Sequence, residues 1–381
     1  MSPFTKSKGM IGLPTRPQRG VILIIVLWFV VIVIIMVAAL ASETRLSAKT
    51  VLYNKMGLQT WNDSLKALRA AEMELLINRM PDPPGTETDI PLSERKNKRY
   101  RFDGRILELA YPVPKTVNIR IYDHAGKINI QRLSKQRLRQ LLEQRIGNDI
   151  ERLDALQAAW NDWIDRDELK RLNGAEKDYY EKLKPPYEPR NSRLETVGEL
   201  LLIKGFAEVF KGVEVDSAFT VYGTSSGVNP NLATREALML LPGLGGGTVN
   251  TILTKRREKE FKSYKDFNEF MEPEQLVKLR PWINFSTSNF YTIAIQAKKL
   301  EDTEKSNKEK VDDKKVANKN KLDEQADKPI SQPAQSEERA YMVTIQPRGF
   351  NQLPRILMVN PYGVLPSTSH EPKIVSDKDN K

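Results

Sequence analysis

Positions 21–41 carry twenty-one uncharged, mostly branched apolar residues in succession. At ~1.5 Å of rise per residue, a helix of that length spans about 30 Å, the thickness of the bilayer hydrocarbon. The pattern then turns amphipathic without a breaker. Leu58, Trp61, Leu65, Leu68, Ala71 and Leu75 recur at spacings of three and four, with Asn62, Asp63, Lys66, Arg69 and Glu74 off that face. This predicts one long helix, stopped by Pro81, Pro83, Pro84 and Gly85. Its first half crosses a membrane, and its second half lays an apolar stripe on a sheet.

Strand-like segments follow at 105–111, 116–122, 218–223, 290–297, 341–346 and 355–359, rich in β-branched and aromatic residues and partly alternating. Long helical stretches separate the second from the third and the third from the fourth. The simplest architecture is α+β: a long N-terminal helix packed on an antiparallel sheet, with a large α-helical insertion. Residues 298–339 hold no aromatic and few apolar side chains, and from 301 to 328 nine acids nearly balance eight bases. They predict a solvated, disordered loop between strands. The last residues, 366–381, predict a flexible tail.

Charge orients the chain. Lys6, Lys8, Arg16 and Arg19 precede the apolar run, and the first acid is Glu43. Cations are retained on the cytoplasmic side, so the chain beyond residue 43 lies across the membrane from them. Ala39-Leu40-Ala41 fits a signal-peptidase site, but 21–37 alone exceeds the usual h-region of roughly 7–15 residues. The chain has no cysteine and two histidines, His124 and His370, which leaves little material for thiolate chemistry, a histidine metal site or a Ser-His-Asp triad. The net charge of +11 is mild for 381 residues and does not by itself call for nucleic acid.

Two motifs could carry chemistry. Leu240-Leu241-Pro242-Gly243-Leu244-Gly245-Gly246-Gly247 resembles a helix-hairpin-helix turn, where backbone N–H groups at a helix start could meet a phosphate. Gly243 and Gly245, with Lys255 and Arg256 on the second helix, would be its nucleic-acid contacts. The plainer reading is a compact helical pair that only packs. The second motif is acidic: Asp162, Asp165, Asp167, Asn173 and Glu176 offer hard oxygens suited to calcium. It is not an EF-hand, because Leu169 and Lys170 stand where that loop needs a ligand and a glycine. The plainer reading makes these acids helix caps or solvated groups, with Trp160 and Trp163 in a core.

Taken together, the chain resembles type II secretion system protein K, a minor pseudopilin. The resemblance rests on the Arg19-Gly20-Val21 junction, the long helix, Asp123-His124-Ala125-Gly126-Lys127-Ile128-Asn129 and Asp162-Trp163-Ile164-Asp165-Arg166-Asp167. It continues through Asn173-Gly174-Ala175-Glu176, Tyr187-Glu188-Pro189-Arg190-Asn191, Gly198-Glu199-Leu200 and the 229–247 hairpin. It implies a non-enzymatic assembly protein of the inner membrane, single-pass, with its C-terminal domain in the periplasm. A prepilin peptidase would cut after Gly20 and methylate Val21. Ile25 replaces the glutamate that most pilin-like proteins carry five residues into the mature chain. A tip subunit, with no neighbour's N-terminal ammonium above it, has no use for that buried carboxylate.

The implied partners are the I- and J-type minor pseudopilins, the major pseudopilin and the inner-membrane secretion platform. The implied layout is a leader at 1–20, a membrane helix at 21–43 and a pilin-like helix with first strands at 44–127. An α-helical insertion at 128–217 precedes a sheet strand at 218–227, a second helical module at 228–286 and a strand at 287–297. The loop at 298–339, final strands at 340–365 and the tail complete it. The alternative function is a membrane-tethered DNA receptor of the competence type, using the glycine hairpin.

Overall fold

The computed structural model describes residues 19–80, 100–109, 112–298, 339–349 and 352–367. Residues 1–18 of the expected leader, most of the 298–339 loop and the end of the tail lie outside the described residues. The chain divides into two units, Met1–Trp61 and Asn62–Lys381. Helix α1 (Arg19–Arg79) is uninterrupted, as the lack of a breaker before Pro81 requires. It is long and apolar enough to cross a membrane, with a mean hydropathy of 3.5 in its most apolar window. In the first unit the side chains from Leu23 to Val37 are apolar and all exposed.

In the second unit, α1 packs through Ala67, Leu68, Ala71 and Leu75 against Ile119, Ile121, Ile293, Ile295, Val343 and Ile345 of a sheet. Small residues at 67 and 71 let the helix approach closely. The packing stripe is narrower than the periodicity predicts. Leu65 is 40% exposed, and Leu58 and Trp61, which belong to the first unit, are exposed as well. Glu74 departs in the other direction: expected off the apolar face, it is buried and close enough to Tyr100 to raise the tyrosine's pKa, after burial itself.

The sheet runs β1 (Asp103–Ile106), β2 (Val117–Asp123), β5 (Tyr291–Ala297), β6 (Arg339–Gln346) and β7 (Arg355–Val364), in that spatial order and antiparallel throughout. β2 is buried on both faces. Val117, Ile119 and Ile121 meet α1, and Tyr122 turns to the opposite face with Ala294, Ala340 and Leu365.

Between β2 and β5 the chain makes one long excursion. β3 (Ile128–Asn129) leads to α2 (Lys135–Ile146), α3 (Ile150–Ile164), α4 (Lys177–Tyr180), α5 (Phe206–Val209) and α6 (Val215–Ala218). β4 (Phe219–Thr220), α7 (Arg235–Met239), α8 (Gly246–Glu258) and α9 (Pro273–Leu279) follow. The segment expected as a sheet strand at 218–227 is instead the two-residue β4, paired in parallel with β3 and outside the main sheet. Its apolar residues pack among helices: Ala218 and Phe219 are buried with Phe210 and Val215. The two helical modules are therefore one body, because a single core reaches from Ile128 through Trp163 and Leu241 to Ile283.

Asp123 stands at the mouth of the excursion. Its carboxylate accepts the N–H of Ala125 (2.8 Å) and both the N–H (3.1 Å) and hydroxyl (2.6 Å) of Ser288. It thus ties the outgoing strand to the returning one, where Asp123 pairs with Tyr291. The next residue, His124, is buried between Thr220 (2.7 Å) and Thr292 (2.8 Å), and Thr292 continues to Thr344 at 2.9 Å. Asn129 donates to the carbonyls of Tyr222 and Gly223. Gly126 lies under the backbone of Leu232, where a Cβ would fall 2.1 Å from a carbonyl oxygen.

That contact generates a prediction. Gly126→Ala should cost at least ~3 kcal/mol, since backbone, unlike a side-chain tip, cannot step aside. Gly198→Ala, whose added methyl would meet only the Thr196 hydroxyl at 4.0 Å, should be near neutral. Urea unfolding of both variants, followed by far-UV circular dichroism, makes the comparison.

Candidate functional site

Helix α3 begins at an Asp149 cap, whose carboxylate accepts the Arg152 N–H, and ends at Asp165. Trp160 and Trp163 face the insertion core, as the plainer reading of this segment holds. On the last turn Asp162 is fully buried. Its carboxylate accepts the N–H of Ala175 (2.9 Å), the N–H of Arg171 (3.3 Å) and the Arg171 guanidinium (2.7 Å). The loop 165–175 is thereby wound around one carboxylate. Asn173, at φ 62°, and Gly174 make the turn that brings Ala175 back. A Cβ on Gly174 would lie 1.9 Å from Asp162 Oδ2, so only glycine lets the loop close on the acid.

The other acids are placed differently. Asp165 Oδ2 also takes the Arg171 guanidinium, while its Oδ1 is buried and unpaired. Asp167 is exposed and accepts the Leu169 N–H at 3.0 Å, a local turn. Glu176 opens α4 without capping it; its side chain is buried and both carboxylate oxygens lack a partner. Burial, then the charges of Asp162, Asp165, Asp167 and Glu168, push its carboxyl up to about 7. The carbonyls of Asn173 and Gly174 accept Lys204 Nζ at 3.1 and 3.2 Å.

The sequence-predicted set is therefore partly assembled. Asp162 and Asp165 share Arg171, Glu176 lies within their field, Asp167 stands at the exposed rim, and Asn173 presents its carbonyl to Lys204. Among the described residues no three His, Asp or Glu side chains form a ready-made metal cage. The single Arg171 cation is shared by Asp162 and Asp165, and Lys204 closes the carbonyls of Asn173 and Gly174. Asn191, at φ 51°, has a buried and unpaired Oδ1. Spacing arguments passed over it because it lies fifteen residues beyond Glu176.

The glycine hairpin folds as a helical pair. α7, capped by Thr234, is followed by Gly243 at φ +81° and by α8, which starts at Gly246. Leu241, Leu244, Val249, Ile252 and Leu253 are all in the insertion core. Gly243 and Gly245 are exposed, whereas of the two cations one is paired at the surface and the other is buried. Lys255 bonds Glu269 at 2.7 Å. Arg256, expected at a phosphate surface, is buried and donates to the carbonyls of Pro230 (3.1 Å) and Ala233 (2.6 Å). Burial lowers its pKa to about 10.

With this geometry in place, the chain can be set beside known proteins. Residues 118–211, which hold β2, the Asp123 junction, α2, α3 and the acidic loop, match the family described as Type II secretion system (T2SS), protein K. The chain is similar to protein K. A protein K of Pectobacterium carotovorum subsp. carotovorum is 38% identical over 65 residues, 17% of this chain and 20% of that protein. The match thus spans about a fifth of the curated relative's length. A chain of the GspK-GspI-GspJ complex from the enterotoxigenic Escherichia coli type 2 secretion system is 13% identical. Its superposition covers 81% of this chain and 98% of that one at a TM-score of 0.46, a loose likeness.

Residues 118–211 carry a pH prediction. Glu176 binds its proton more tightly folded than unfolded, so its contribution is fully present below about pH 4.5 and is lost as pH rises through about 7. In chelator, Glu176→Gln should therefore be more stable than the parent at pH 8, with the difference closing by pH 4. His124 acts oppositely, because burial lowers its pKa well below 6.5. Its contribution is present above pH 6.5 and falls away in acid. Thermal unfolding of the parent, Glu176→Gln and His124→Gln from pH 4 to 8 checks both signs.

Proposed function

We propose that this protein is a minor pseudopilin of type II secretion that works at the tip of a periplasmic pseudopilus, joined to I- and J-type minor pseudopilins. The observation that carries the reading is a single helix, α1, apolar enough to cross a membrane and then packed on an antiparallel sheet, beside a segment that matches protein K. I and J are the partners named with GspK in the Escherichia coli complex. The role is architectural, with no chemistry assigned to any side chain. The bulk of the insertion beyond β2 would obstruct another subunit from adding above it, which fits a cap. Arg256 is turned inward to the carbonyls of Pro230 and Ala233 and Lys255 is paired with Glu269 at the surface, which weakens the DNA-receptor alternative.

Processing should follow from Arg19-Gly20-Val21. The mature protein should begin at Val21, N-methylated, and keep the whole apolar helix in the inner membrane. N-terminal sequencing and mass measurement of membrane-extracted protein check this; a mature start at Ser42 would mean a signal peptide instead. The detergent-solubilised protein should also co-purify with its I- and J-type partners, and a clean separation from both would remove the tip assignment.

The acidic loop would hold calcium through Asp162, Asp165, Asp167 and Glu176, joined by Asn173 once Lys204 gives up its carbonyl. The unpaired buried oxygens of Glu176 and Asp165 fit a hard cation that takes oxygen ligands. Arg171 would leave the two aspartates as the ion takes over their charge. Millimolar calcium should raise the melting temperature in proportion to binding. The gain should be larger at pH 7.5 than at pH 5, where Glu176 holds a proton, and absent in Asp165→Ala with Asp167→Ala. Identical melting curves in chelator and calcium would return these acids to purely internal pairing.

A further inference from the structure

The feature left without a role is the hairpin of β6 and β7. Among the described residues β7 has one strand neighbour, β6, so its other edge presents backbone N–H and C=O groups. Its side chains are poorly covered: Ile356 is 57% exposed, Val359 45% and Tyr362 73%, and Leu353 just before the strand is 80% exposed. Natural proteins usually blunt such an edge with charge, proline or a bulge. Here the β6–β7 ladder carries two register shifts, one beside Pro361 at the far end and one opposite Leu357, between Thr344 and Ile345. From Ile356 to Asn360 nothing is charged and nothing is proline. With Arg355 this leaves six residues, about the ordinary length of a strand, in which the extra residue Leu357 brings Ile356 and Val359 to one face, opposite Ile345 and Val343.

Two further observations define what fits there. From Arg339 to Ser367 the sequence has three arginines (Arg339, Arg348 and Arg355) and no acid. Arg348 and Arg355 are exposed and lie at the turn end of the hairpin. At that same end a groove of about 380 Å³ opens between α1 (Met73, Leu76) and the hairpin (Pro347, Leu353, Pro354), and the one acid on its wall, Glu72, is held by Arg69 at 2.7 Å. It runs directly into the start of β7, because Leu353 and Pro354 line it and Arg355 begins the strand.

We propose that β7 is a strand-acceptor edge, taking an extended polypeptide segment in which apolar and acidic residues alternate. Main-chain hydrogen bonds to Arg355–Asn360 give the pairing, as in other cases of strand addition. The acids of the segment meet Arg348 and Arg355. A bulky apolar residue at the end nearest Arg355 sits in the groove beside Met73 and Leu76. Because the site uses neither the acidic loop nor the apolar first half of α1, it stands or falls separately from the pseudopilin assignment.

The test uses the full chain in detergent and a labelled decapeptide of alternating valine and glutamate with one terminal tryptophan, read by fluorescence anisotropy. Saturable binding is expected. It should weaken by about tenfold or more when alternate peptide nitrogens are methylated or glutamates become lysines, since each change removes one of the two recognition terms. Ile356→Lys and Val359→Lys should weaken it similarly with unchanged thermal unfolding, as both side chains already face solvent. Should either variant misfold, the methylated peptide on the unaltered protein still decides. Equal binding of the methylated peptide would mean apolar adhesion and overturn the proposal. Absence of peptide binding would do the same, whether β7 is then found to bind phosphatidylglycerol vesicles or to be freed only by deleting 368–381.

Discussion

The structure depends on one buried carboxylate. Asp123 sits where the sheet hands over to the helical excursion, and it gathers donors from both directions of the chain, Ala125 outward and Ser288 returning. A carboxylate taken out of water costs several kcal/mol unless hydrogen bonds replace the lost solvation. Three local donors do so only in part, and burial still leaves its pKa at about 6. The neighbouring contacts make that arrangement tolerable by fixing the geometry. Gly126 lies flat under Leu232, His124 bridges two threonines from different layers, and Asn129 holds the β4 turn. The sheet side and the helical body also meet at Arg101, which donates to the Arg256 carbonyl at 2.7 Å, and at Ser367, whose N–H donates to Glu236 at 2.8 Å.

The acidic loop repeats that design with a different balance. Asp162 is satisfied by the loop that wraps it and by Arg171, so it organises structure as Asp123 does. Glu176 is not satisfied: it is buried without a donor among four other acids whose charges reach it. An unpaired buried acid beside a paired one is a place where protonation state or a bound cation changes the energy of the fold. Arg171 and Lys204 hold the surrounding charge in balance from the protein side.

Much of this was legible in the chain because it is written in local terms. The unbroken α1 followed from the absence of any proline or glycine pair between Arg19 and Pro81, and the interrupted antiparallel sheet followed from β-branched runs far apart. Trp160 and Trp163 read correctly as core. What failed was set by partners distant in sequence. Phe219 and Thr220 look like a sheet strand, yet their pairing is with Ile128 and Asn129, and no local pattern encodes that choice. Arg256 looks like one cation in a basic run, but the fold turns it inward to the carbonyls of Pro230 and Ala233. Leu58 and Trp61 continue the spacing of the stripe, whereas the packed stripe itself begins only at Ala67. The orphaned oxygens of Glu176 are likewise invisible until the neighbours that fail to reach them are known.

The excursion leaves at Asp123 and returns at Tyr291, two residues that face each other across the β2–β5 ladder. A cross-strand pair is also where a tight reverse turn would sit, so the ladder experiences the whole helical body as an elaborated turn. Lengthening, shrinking or reshaping that body need not disturb the register of a single strand. Variation in the two parts is thereby uncoupled: the small sheet keeps the standard that docks α1, and the cargo strung between its middle strands is left to diversify.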